Sequence, residues 1–217
     1  MLKTSVSKTS VEHFSKLTWS VLENILGTSS KKLPPVYFFL APWSKGSLKH
    51  RREDEIALVH EQQRYGQGVA LIHPPAAWVS ELSQLPEEVS HLFAVSHQPK
   101  LKRDLDVEEE LRWMLLHEVF GKFGDAVVSG NFKSFQKKSR SKKSLRNLNE
   151  KTLWQWAHLE GYFLGEKLAQ FYFEEKISNK EIQKFFSWNW SHPKQSKKAL
   201  RFLYSALNET PTFSDLM

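Results

Sequence analysis

Apolar residues fall at helical spacing near the start of the chain. Val11, Phe14, Leu17, Val21, Leu22, Ile25 and Leu26 line one face, and Gly27 stops the pattern. Leu33-Pro34-Pro35 then breaks the chain. Val36 to Ala41 is a short, aromatic-rich apolar run, which reads as a buried strand. Residues 51–65 are helical by composition, with Ile56, Leu58 and Val59 as the apolar face. Val69–Ile72 lies between Gly68 and the pair Pro74-Pro75 and reads as a second strand. A short helix is expected over Ala76–Leu82, and Leu92–Val95 as a third strand. Apolar strands alternating with helical patterns predict parallel βαβ units.

The second half changes character, to helices on either side of the basic run. Asp104 or Asp106 caps a helix whose first turn carries Glu108, Glu109 and Glu110, matched to the positive helix end. Gly121 and Gly124 mark its expected end. Residues 150–175 form the strongest helical pattern, with Leu153, Trp156, Leu164 and Leu168 on one side and Trp154, Tyr162 and Phe173 on another. A helix apolar on more than one side is central. Gly161 and Gly165, four apart, let a neighbouring element approach closely. Ser178-Asn179-Lys180-Glu181 is a capping box for a helix to about Trp188, and Ser191-His192-Pro193 opens the last helix, ending near Leu207. Two short helices so joined resemble a helix-turn-helix, but nothing in the spacing specifies DNA reading, and helices closing a bundle explain them.

The expected fold is therefore mixed α/β: a small three-stranded, parallel sheet flanked by helices, then a helical C-terminal region. An antiparallel sheet is the alternative. The expected divisions are an α/β region (1–125), a basic loop (126–149) and a helical region on the same core (150–217).

Composition fits a folded domain: hydrophobic residues are 40% and charged residues 25% of the 217. There is no cysteine, which excludes disulfides and thiolate metal sites. No apolar run reaches bilayer-spanning length and no secretory leader pattern is present, so a cytoplasmic location is expected. Charge changes the picture more. Formal net charge is +7, and Lys133, Lys137, Lys138, Arg140, Lys142, Lys143 and Arg146 lie in one acid-free run. Without them the chain holds 24 basic and 24 acidic residues. Such a run resists burial and suits a polyanion, because each neutralised phosphate releases a counterion. A solvated linker explains it as well.

Candidate chemistry is sparse. His60-Glu61 and His117-Glu118 begin a zinc-protease motif, but positions 64 and 121 are Arg and Gly, so the second histidine is missing. Glu88-x-x-His91 resembles half of a di-iron ligand set without its second pair, and no metal site is expected. A parallel sheet would gather the ends of its strands, and Ser44, Lys45, His73 and His97 follow those ends. Groups of this kind do acid–base, nucleophilic or phosphate-binding work. No cofactor is specified. Three functions follow: polyanion binding, with nucleic acid as partner, through 133–146; an enzyme acting on a small anionic or phosphorylated substrate at Ser44, Lys45, His73 and His97; and a protein-interaction module without catalysis.

Overall fold

The computed structural model describes residues 8–28, 32–33, 36–38, 57–60, 69–72, 78–99, 105–130, 132, 149–213 and 216–217. Six helices carry the architecture: α1 (Lys8–Leu26), α2 (Trp78–His97), α3 (Val107–Ser129), α4 (Glu150–Phe173), α5 (Asn179–Ser187) and α6 (Pro193–Ala206). The buried core is built from these helices, the segments joining α4, α5 and α6, and the residues after α6. Among the described residues, no helix is long and apolar enough to cross a membrane.

The expectation of an α/β fold is overturned: the fold is helical. Leu92–Val95, taken as a third strand, lies inside α2. Its apolar residues continue a helical series, Leu85, Val89, Leu92 and Phe93, all fully buried. A short apolar run alone does not distinguish a strand from a buried helix segment. Pro86, inside α2, hid the continuity. Among the described residues, strand pairing is confined to three segments, β1 (Val36–Phe38), β2 (Ala57–His60) and β3 (Val69–Ile72), in the order β1-β3-β2. β1 runs parallel to β3, but β2 runs antiparallel to it and falls where a helix was expected. The carboxyl ends of β1 and β3 lie side by side, Phe38 opposite Ile72, and the residues that follow them lie outside the described residues.

α3 is the middle element, packed against α2, α4 and α6. Asp106 caps it: its side chain accepts from the Glu109 N–H, and the Glu109 carboxylate accepts from the Asp106 N–H. The helix passes through Gly121 and Gly124 and ends at Gly130, whose φ of 64° suits glycine. The two internal glycines are contact points, not stops. A Cβ on Gly124 would collide with Ser90 of α2. α4 meets the opposite side of α3, with Gly161 against Glu118 and Gly165 against the backbone of Val119 and Phe123. α4 is less central than its sequence suggested, since Trp154, Leu159 and Phe173 are exposed. Beyond α6, Phe213 returns to the core and meets Trp156 edge-on at 4.6 Å.

The caps offer a local test. Asp106→Ala removes one partner of a reciprocal pair, so a loss of about 1 kcal/mol is expected in urea denaturation. A loss below a few tenths would show that the first turn of α3 does not depend on the cap.

Candidate metal centre

Helical spacing places Glu87 and His91, four residues apart, on one face of α2. That face meets Glu118 of α3. Carboxylate oxygens of Glu87 and Glu118 and a ring nitrogen of His91 all lie within 4.8 Å of one another. Glu87 is buried, and His91 and Glu118 are partly so. α4 completes the surroundings with His158 and Tyr162, again four apart. His158 Nδ1 lies 2.8 Å from Glu118 Oε2. The Tyr162 hydroxyl is hydrogen-bonded to the Glu87 carboxyl, and the His158 and Tyr162 rings are 4.1 Å apart.

Two glycines make the cluster possible. The His91 ring occupies the space that a side chain on Gly121 would fill, and the Glu118 Cβ occupies the space beside Gly161. Three helices thus approach closely enough for side chains from each to meet. The residues that looked like helix stops or generic packing points seat two of the donors.

The electrostatics favour an added cation. Burial, then the Glu118 charge, pushes the Glu87 carboxyl up to about 7. Burial opposes the Glu118 charge too, but His158 and then His91 hold that carboxyl below its usual value. Burial also pushes His91 down, so its ring favours the neutral form that ligates metals. Beside the cluster, Lys122 forms a buried ion pair with Asp125 and stands 3.9 Å from Glu166. One lysine therefore faces two carboxylates there, and the centre itself adds Glu118 and Glu87. Mixed imidazole and carboxylate donors suit first-row divalent ions. Donors around one ion at about 2.1 Å stand up to about 4.2 Å apart, so a small inward movement would let all three meet one.

His117, next to Glu118, points elsewhere. Its ring lies 4.2 Å from that of Trp113 and edge-on to Trp190 at 5.2 Å. Burial, then the nearby His91, drives it down to about 3, so it is a neutral core residue.

Of the residues proposed from the sequence, only His97 lies among the described residues. Ser44, Lys45 and His73 lie outside the described residues, as does the basic run from Lys133 to Arg146. His97 closes the last turn of α2, stacked on Phe93 at 4.0 Å with Nδ1 2.8 Å from the Phe93 carbonyl oxygen. It packs in an aromatic cluster with Trp19 and Phe186. The metal-ligand cluster was missed because its pairing is Glu87 with His91, one residue earlier than the Glu88 considered. The signal present was two i, i+4 pairs of polar residues, Glu87–His91 and His158–Tyr162, on apolar helices. Comparison with protein-family models, curated proteins and solved structures finds no match to this chain.

Proposed function

We propose that this protein binds a divalent first-row metal ion between α2, α3 and α4, with Glu87, His91 and Glu118 as ligands. The observation that carries the reading is the convergence of these three donors from two helices, with Gly121 and Gly161 giving them room. Three protein donors leave a position for water, the pattern of catalytic rather than structural metal sites. A water held there would be activated for hydrolytic chemistry, with His158 alongside to exchange protons and the Tyr162 hydroxyl, its proton held tightly by burial and the neighbouring carboxylates, to donate a hydrogen bond.

Titration of the chelator-treated 217-residue chain with Co²⁺ tests this. One visible-absorbing ion per chain is expected, with Glu118→Gln and His91→Ala each weakening binding by at least about 100-fold, since each removes a direct ligand where even outer-shell partners are worth 10–100-fold. Weak binding of several ions, unchanged in either variant, would mean that the cluster is a proton-held hydrogen-bond network only.

A second reading rests on a different observation, the acid-free run of seven basic residues from Lys133 to Arg146. Polyanion binding through that run predicts affinity that falls steeply with salt. Replacing Lys137, Lys138, Lys142 and Lys143 with Gln should flatten the salt dependence and leave the melt unchanged. An unaltered salt slope would reduce the run to a solvated linker.

A further inference from the structure

A second concentration of positive charge lies on a placed surface. Residues 182–208 contain no Asp or Glu and five Lys or Arg: Lys184, Lys194, Lys197, Lys198 and Arg201. This does not show in the net charge, because acids elsewhere balance it. Fields act locally, however, and segregated charge produces its own surface potential.

α6 shows how the charge is presented. Ser196, Ala199, Leu200, Leu203 and Tyr204 bury one face. Lys194, Lys198 and Arg201 are exposed on the other. Their spacing, i, i+4 and i+7, makes one straight stripe about 10 Å long. Among the described residues, none of Lys194, Lys197, Lys198 and Arg201 forms a salt bridge. Aromatic rings support two lysines of this surface. Lys198 Nζ lies 5.3 Å from the centre of the Trp188 ring, and Lys184 Nζ lies 5.8 Å from that of Phe202. The two rings touch edge to face at 5.5 Å. A ring face positions an ammonium group without neutralising it, so the stripe keeps its charge for a partner.

We infer that the exposed face of α6, flanked by Lys184, binds the phosphate backbone of double-stranded nucleic acid without reading its sequence. A duplex carries about one negative charge per 1.7 Å of axis, so a 10 Å stripe covers several phosphates. An anionic membrane fits less well. A surface-lying helix inserts Trp, Phe or Leu into the lipid, whereas the apolar face of α6 is committed to the core. The inference is independent of the metal centre and of the run at 133–146.

The test measures binding of the whole 217-residue chain to a fluorescent duplex of about 20 base pairs and arbitrary sequence, by anisotropy, across a salt series. The variant Lys194→Gln/Lys198→Gln/Arg201→Gln should flatten the log–log salt slope by about 2.7, three contacts at 0.9 each. Wild-type affinity should therefore fall about 40-fold more than the variant's between 50 and 200 mM salt. A thermal melt identical to wild type confirms that the substitutions are superficial. The inference is overturned if the triple variant keeps the wild-type slope, if neither protein binds duplex at 50 mM salt, or if binding occurs only to phosphatidylserine-containing vesicles. If the 133–146 variant loses binding while the α6 variant does not, the basic run is the site and α6 is not. The opposite pattern supports α6 and removes the run.

Discussion

Gly165→Leu is expected to lower unfolding stability by about 3 kcal/mol or more, at the upper end of overpacking effects. The contacts explain why relief is hard. A Cβ at this position would lie 2.5 Å from the Val119 carbonyl oxygen and 3.0 Å from the Phe123 nitrogen, both backbone atoms of α3, and 2.8 Å from the Lys122 Cβ. Backbone cannot rotate away as a side-chain tip can, so α4 must move off α3. That movement would disturb the most extensive helix contact among the described residues and the buried Lys122–Asp125 pair together. Gly130 is the control. No atom lies within 4 Å of a Cβ built there, and only its φ of +64° opposes substitution. Gly130→Ala should therefore cost about 1 kcal/mol, the usual penalty for a left-handed non-glycine residue. Urea denaturation of both variants would separate helix contact from backbone strain. Equal losses would mean that the α3–α4 approach is looser than described.

These glycines also show what the sequence reveals and what it hides. Gly161 and Gly165 were legible as a close-approach surface because they sit inside a long apolar pattern. Gly121 and Gly124 carry the same chemistry but occur in sequence where a helix stop is equally natural, and so they were misread. Local signals survived best. Asp106 with Glu109, Ser178 with Glu181, and Pro193 at the start of α6 mark helix starts through bonds or ring geometry that involve only near neighbours. The α/β expectation failed at Leu92–Val95 because Pro86 interrupts the eye but not the helix. That error also concealed the candidate site, since Glu87 and His91 share a face only if the chain is helical across both. The partners Glu118 and His158 come from α3 and α4, and no spacing rule along one segment predicts their meeting.

The metal centre predicts an unusual pH dependence, which a single substitution isolates. Glu87 titrates at about 7 instead of the ordinary 4.5. Between those values the native protein holds a proton that the unfolded chain has released, so this group makes stability fall as pH rises through that window. Above about 7 both states are ionised and the loss is complete. The size is on the order of 3 kcal/mol, at about 1.4 kcal/mol per unit. His117 acts in the opposite sense. Held down at about 3, it costs stability as pH falls below 6.5. His91, also pushed down by burial, acts in the same sense as His117. The wild-type curve therefore mixes opposing slopes, but both histidines are common to wild type and Glu87→Gln and largely cancel in their difference. Glutamine has the shape of the neutral acid and no proton to lose. With chelator present, the stability gain of Glu87→Gln over wild type should grow from pH 4.5 to 7 and then level off. Adding the metal should reverse the ranking at pH 8. The ion replaces the missing proton on Glu87 and stabilises wild type by about 4.1 kcal/mol at 1,000 times its dissociation constant, more than the glutamine advantage of about 3 kcal/mol, while the glutamine variant, lacking one ligand, gains far less. Urea midpoints for both proteins at pH 5, 6, 7 and 8, with chelator and with Zn²⁺, provide the measurement. A difference that stays flat with pH would show that Glu87 is ionised in the native state, and an unchanged ranking with Zn²⁺ would remove Glu87 from the ligand set.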